Sequence, residues 1–207
     1  YQNLLQYLDL FMPYMRKHNP EVVYFGGGTP NLFPRQALEQ VMKCFGDMGN
    51  TKIAVELSPS DRLDDLDIWA KNSDLIILGV QSFDADTLSF IKRKHASYEK
   101  IKNIVDTVKD IGCHCAIDLV ADLYPTDKWE RFVSDFSLAK TLNLDFVCLA
   151  DNYKQRLHQD KIYDIAQSAT DDILLDRKKI LPKEGKNPET DDKVMLKRQR
   201  ISRIFYQ

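Results

Sequence analysis

Three consecutive glycines, Gly26, Gly27 and Gly28, close the apolar run Val22-Val23-Tyr24-Phe25 and are followed by Thr29-Pro30. One glycine supplies positive φ and a second a tight reversal, while a third leaves amides and carbonyls bare where a strand ends. Ligands of parallel α/β proteins bind at that end of the strands, so the stretch reads either as a plain turn or as a ligand cradle. The ends of the following strands add Glu56 with Ser58, Gln81 with Ser82, Asp118, and Asp151 with Asn152. Glu56 and Asp118 stand inside otherwise apolar strands, where a carboxylate is costly unless it is hydrogen-bonded or faces a ligand. A bond to a neighbouring loop amide would satisfy either one, so a structural and a binding role both stand at this point.

These residues need a scaffold that brings successive strand ends together. Apolar residues at helical spacing from Leu4 to Met15 predict an amphipathic helix, closed by Arg16-Lys17-His18 and stopped at Asn19-Pro20. A strand follows over 21–25, then a helix from about Pro34 with Leu38, Val41, Met42 and Phe45 on one face. The plan repeats: a strand over 52–58, and a helix capped by Ser60 or Asp61 that buries Leu63, Leu66, Trp69 and Ala70. A third strand over 74–80 has the continuous apolar run Leu75-Ile76-Ile77-Leu78, as expected for a strand covered on both faces. Asp84 caps a short helix to Ile91, and a longer helix over 98–111 ends at Gly112. A fourth strand over 113–121, a helix over 128–142 and a fifth strand over 145–150 complete the series. Strands alternating with helices predict a parallel α/β sheet or barrel with right-handed crossovers. A helix opens the series, so the first strand of such a barrel is expected to be missing from this chain.

Beyond residue 154 the pattern weakens. A helix over 163–175, a mixed-charge linker over 176–192 and a terminal amphipathic helix over 193–206 are expected, giving a barrel unit over 1–154 and an extension of uncertain structure over 155–207. The basic cluster Lys197-Arg198-Gln199-Arg200 reads as a solvated face, and no nucleic-acid partner is expected.

With 207 residues, 43% apolar and 29% charged content and a net charge of −2, the chain has the composition of an ordinary globular protein with no global field toward nucleic acid or membrane. No run approaches the roughly 18 apolar residues of a membrane span, and no signal-peptide layout opens the chain, so no membrane partner and a cytoplasmic address are expected. Cys44, Cys113, Cys115 and Cys148 lack disulfide or Cys-x2-Cys metal spacing, so buried free thiols and no metal ligands are expected. Cys113 and Cys115 flank His114, but in a strand the sulfurs share one face and the imidazole takes the other.

Read together, Tyr24-Phe25-Gly26-Gly27-Gly28-Thr29-Pro30, then Glu56-Leu57-Ser58-Pro59, then Gly79-Val80-Gln81-Ser82-Phe83-Asp84 with Arg93 and His95 downstream, then Ile117-Asp118-Leu119-Val120, resemble the radical S-adenosylmethionine (SAM) enzymes related to oxygen-independent coproporphyrinogen III oxidase. The resemblance covers about residues 1 to 150. It implies a partial parallel (β/α) barrel of the radical SAM type without its first strand and cluster loop. It also implies cofactor-binding roles for Gly26, Gly27, Gly28 and Thr29, whose backbone would meet the SAM ammonium, with Thr29 and Pro30 shaping the turn. By the same resemblance Glu56 accepts from SAM, Gln81 and Arg93 hold its carboxylate, and Asp118 accepts from the adenosine hydroxyls.

The activity so implied is reductive cleavage of SAM at a [4Fe–4S] cluster, with the 5′-deoxyadenosyl radical acting on a small organic substrate, porphyrinogen-type oxidation and C-methylation among the reactions. An electron donor such as flavodoxin or ferredoxin is implied too. The family's Cys-x3-Cys-x2-Cys loop is missing here, and its ligands are expected upstream of Tyr1, which is then not the natural N-terminus. After Asp118 the chain reads Val120-Ala121-Asp122-Leu123-Tyr124-Pro125, departing from the family's glycine-containing continuation. A non-catalytic heme-binding or heme-chaperone member of the same family, or an unrelated (β/α) binding module, are the alternatives.

Overall fold

A computed structural model describes residues 2–46, 48–120, 123 and 129–150. The expected extension over 155–207, the tail of the loop after Val120, and the candidates Asp151 and Asn152 lie outside the described residues.

The elements in order are α1 (Gln2–His18), β1 (Val22–Phe25), a 3-10 turn (Pro30–Leu32), α2 (Arg35–Phe45), β2 (Lys52–Leu57), α3 (Leu66–Lys71), β3 (Leu75–Gln81), α4 (Ala85–Phe90), α5 (Tyr98–Asp110), β4 (His114–Val120), α6 (Trp129–Ala139) and β5 (Phe146–Ala150). The strands form one sheet in sequential order, every neighbouring pair parallel. Period-two alternation sends Val55, Leu57, Ile76, Leu78, Cys115, Ile117, Val147 and Leu149 into one large core with the helices, where Leu38, Trp69, Ile101, Val105, Phe132 and Phe136 meet them. On the opposite face Ala54, Leu75, Ile77 and Ala116, with Phe146 and Cys148, form a small cluster that contains no helical residue. Helices on one face and sequential strand order are the wall of a (β/α) barrel, with its inner face bare of helices. The burial of Leu75-Ile76-Ile77-Leu78 on both faces follows from this arrangement. No helix among the described residues is long and apolar enough to cross a membrane.

Local signals set the helix ends. Asp84 accepts the Thr87 N–H at 2.7 Å and starts α4, as expected. Gly112, at φ +91°, ends α5 in a Schellman motif: its own N–H reaches Lys109 O and the Cys113 N–H reaches Val108 O. One cap differs from expectation. α3 begins at Leu66 behind Asp65, not behind Ser60 or Asp61. Asp61 is engaged elsewhere, accepting from Ser58 Oγ and from Lys94 Nζ, each at 2.7 Å, so its carboxylate pins a loop in place of a helix.

The N-terminal edge of the sheet carries two carboxylates in a repeated device. Asp74, just before β3, accepts from the Ile53 N–H and Lys52 Nζ; Asp145, just before β5, accepts from the Cys115 N–H, Lys109 Nζ and His114 Nδ1. Each binds the backbone of the preceding strand and a cation. Burial works to raise the Asp145 carboxyl, but Lys109, the Cys115 amide and His114 outweigh it and hold it below the ordinary range. A depressed carboxyl contributes stability that is present above the unfolded value near pH 4 and is lost as pH falls through the folded value. Asp145→Ala is therefore expected to cost about 3 kcal/mol at pH 7, with the deficit shrinking below pH 4, read from urea unfolding.

Candidate functional site

Alternation assigns Tyr24 on β1, Glu56 on β2, Gly79 on β3, Asp118 on β4 and Cys148 on β5 to the inner face. The contacts agree. Tyr24 Oη donates to Glu56 Oε2 at 2.8 Å, Glu56 Oε1 lies 3.5 Å from where a Gly79 Cβ would stand, and Asp118 pairs in register with Cys148. Sequence reasoning gave Tyr24 no role of its own, although its place two residues before Gly26 on an alternating strand puts it beside Glu56.

The glycine triplet has two separate causes. Gly27 and Gly28 hold φ values of +78° and +60°, which disfavour any side chain. Gly26 is not in that region; a Cβ there would lie 2.1 Å from Tyr24 Cε1, so the tyrosine ring occupies its side-chain space. Thr29 O accepts the Leu32 N–H at 3.0 Å and opens the 3-10 turn that begins at Pro30. Asn31, buried after it, donates to Ser58 O and Arg62 O and accepts the Ser58 N–H, fastening this turn to the loop after β2.

A cavity of about 250 Å³ opens between these loops and is lined by Gly27, Gly28, Thr29, Glu56, Gly79 and Arg93 among others. Five of the eight expected site residues thus face one space. Gly26, Gln81 and Asp118 are outside the lining. Arg93 makes no side-chain hydrogen bond or ion pair among the described residues.

Gln81 is buried, and its Nε2 would lie 3.4 Å from a Gly79 Cβ, so the amide folds back beside Glu56. Its φ is +66°, and the Ser82 N–H bonds Val80 O at 2.8 Å across it, a γ-turn of the strained hand. The β3–β4 register shifts between Leu78 and Gln81 to accommodate it. Asp135 on α6 fixes the next two residues: Ser82 Oγ donates to its Oδ2 at 2.5 Å and the Phe83 N–H to its Oδ1 at 2.9 Å. His95 Nε2 donates to Phe83 O at 3.1 Å, and Arg131 pairs with Asp84. Nothing in the expectations pointed to Asp135. Its signal was a carboxylate at helical spacing among Phe132, Phe136 and Ala139, all buried.

The carboxylates differ sharply in environment. Asp118 is 1% exposed and neither of its oxygens accepts an N–H or O–H from a described residue; the Cys148 thiol beside it is a weak donor. Burial pushes its carboxyl up to about 7, the Glu56 charge adds to that, and the Cys148 thiol and Arg93 charge partly oppose it. Burial, then Glu56, raise the Tyr24 phenol as well, so it remains a donor. Asp61 is held below the usual range by Lys94 and Ser58.

Cys113 and Cys115 lie in the helix-side core, and burial pushes the Cys113 thiol up to about 12. His114 faces the other way, onto Asp145. Among the described residues no three metal-ligating side chains converge.

The model of the radical SAM superfamily matches residues 9–136. The heme chaperone HemW of Buchnera aphidicola is 24% identical over 193 residues, covering 89% of this chain and 51% of its own length, so the chain spans about half of that relative. Coproporphyrinogen III oxidase (HemN) of Escherichia coli, a radical SAM enzyme, shares the fold with a TM-score of 0.56 at 19% identity, over 98% of this chain and 47% of that one. SuiB of Streptococcus suis, solved bound to S-adenosylmethionine, gives a TM-score of 0.59 at 14% identity, over 79% and 41%. With its sequential parallel half-barrel and the glycine-rich end of β1, the chain belongs to the radical SAM superfamily.

Proposed function

We propose that this chain binds SAM at the C-terminal rim of its half-barrel and serves a radical SAM protein that cleaves SAM reductively and turns the resulting radical on an organic substrate. The observation that carries the reading is Asp118. At the N-terminal edge Asp74 and Asp145 are fully engaged by amides and cations, as structural carboxylates are. At the opposite edge a carboxylate is buried with no N–H or O–H donor to either oxygen among the described residues, only the weakly donating Cys148 thiol beside it. Such a group is costly unless a ligand supplies its donors, and the ribose hydroxyls of SAM are donors.

The other residues fit the same ligand. Gly27 and Gly28 present bare backbone, Glu56 keeps Oε1 available to an ammonium, and Arg93 brings to the cavity a guanidinium with no partner among the described residues, suited to a carboxylate. Gln81 lies beside Glu56 as a neutral amide able to donate to that carboxylate. These are binding and orienting roles. When bound, SAM supplies the radical chemistry, given an electron from a [4Fe–4S] cluster and a donor such as flavodoxin or ferredoxin. In this proposal the thiolates for the cluster come from outside the described residues.

The names of the curated relatives favour a second reading within the same superfamily, a heme chaperone that keeps the SAM site. One experiment addresses both. The full-length protein, reconstituted anaerobically with iron and sulfide, is given reductant and SAM, and separately titrated with heme. Formation of 5′-deoxyadenosine is the expected result. Stoichiometric heme binding without it would favour the chaperone, and absence of SAM binding by calorimetry would remove both.

A further inference from the structure

We infer that Tyr24 is the positioning residue for Glu56, and that Gly26 is a glycine to make room for it; this rests on the SAM-binding reading above. Glu56 stands at the C-terminal end of β2, and no backbone amide among the described residues holds its carboxylate. The Tyr24 hydroxyl, on the neighbouring strand, donates to Oε2 at 2.8 Å. That leaves Oε1 turned toward Gly79 on the other side, where even a methyl group would come within 3.5 Å of it. One oxygen is therefore committed to the protein and the other is presented to the cavity. A carboxylate free to rotate would offer a ligand either oxygen in several poses and would lose that freedom on binding.

The ring has to lie flat along the strand end to reach Glu56. Cε1, Cδ1 and Cζ of Tyr24 would lie 2.1, 2.9 and 3.0 Å from a Cβ at position 26, and the backbone at Gly26 has no positive φ to require glycine on its own account. The first glycine of the triplet therefore serves the tyrosine, while the second and third serve the turn. Tyr24 is a positioning residue; the atom it places is the oxygen that would accept a ligand N–H.

The test is a double-mutant cycle on the full chain, read as SAM affinity by calorimetry with thermal midpoints measured alongside. Tyr24→Phe keeps the ring and removes the hydroxyl of a residue that is 40% exposed, so the midpoint is expected to hold. Affinity is expected to fall about tenfold, the size of one charge-assisted bond's orienting effect. Glu56→Gln is expected to weaken binding at least as much, and the double variant to be no weaker than Glu56→Gln alone. Gly26→Ala should reproduce the loss of Tyr24→Phe by pushing the ring aside. Wild-type affinity in Tyr24→Phe, or additive losses in the double variant, would overturn the positioning role while leaving the site intact. A wild-type protein with no SAM affinity would overturn the site and this inference together.

Discussion

Asp118→Asn is expected to give a protein that is more stable and binds SAM less well. In the wild type, burial holds the Asp118 carboxyl up to about 7, against 3.8 for the unfolded group. Between those values the folded state retains a proton that the unfolded state has released. Stability therefore falls as pH rises through that window, and the penalty is complete above about pH 7. Asparagine has nearly the same size and no charge to desolvate. A gain of about 2 kcal/mol is expected at pH 8, a rise of several degrees in the thermal midpoint, with little or no gain at about pH 3, below the unfolded value, where the aspartate is largely protonated in both states.

Function should move the other way. Donors brought by a ligand favour the ionised carboxylate, so wild-type SAM affinity should climb as pH rises through about 7, while the asparagine variant shows no such climb and binds at least tenfold more weakly at pH 8. Loss of stability at pH 8 in Asp118→Asn would mean that the carboxylate has an internal partner, and the case for a ligand there would fall. Opposite pH dependences at the two ends of the sheet are part of the same expectation, since Asp145 stabilises when ionised and Asp118 destabilises. Stability given up at a binding site is a common trade.

The chain discloses the scaffold readily because parallel strands covered on both faces leave apolar runs, and helices between them leave caps. Leu75-Ile76-Ile77-Leu78, Asp84 and Gly112 each specify local structure within a few residues of themselves. Glu56 and Asp118 were visible for the converse reason: a carboxylate in an apolar run is out of place, and its oddity is local. What the sequence hides is set by partners far along the chain. Tyr24 is joined to Glu56 across 32 positions, and Ser82 to Asp135 across 53. Asp61 looks like a helix cap by its neighbours, yet Lys94, 33 residues on, and Ser58 take its oxygens. The left-handed turn at Gln81 has no glycine or asparagine to announce it, because its conformation is imposed from α6.

That imposition gives the second large effect, which is expected from Asp135→Ala. A non-glycine residue in a γ-turn of the strained hand stores about 1–3 kcal/mol and persists only where the surroundings over-determine it. Around Gln81 the surroundings are the two bonds from Ser82 and Phe83 to the buried Asp135. Alanine would leave a buried hydroxyl and a buried N–H without their acceptor, at a cost of about 3 kcal/mol, and would free Gln81 to relax toward regular strand. SAM affinity should fall more than tenfold as the amide leaves its place between Gly79 and Glu56. Asp135→Asn separates the two consequences: its carbonyl still accepts the Phe83 N–H and its amide can donate to Ser82 Oγ, so a stability loss of about 1 kcal/mol and near wild-type affinity are expected. Urea unfolding and calorimetry on both variants give the comparison. An alanine variant that folds and binds SAM as tightly as the wild type would mean that Gln81 keeps its left-handed turn unaided, and the strain would then have to be balanced within the turn itself, by the Ser82 N–H bond to Val80 O.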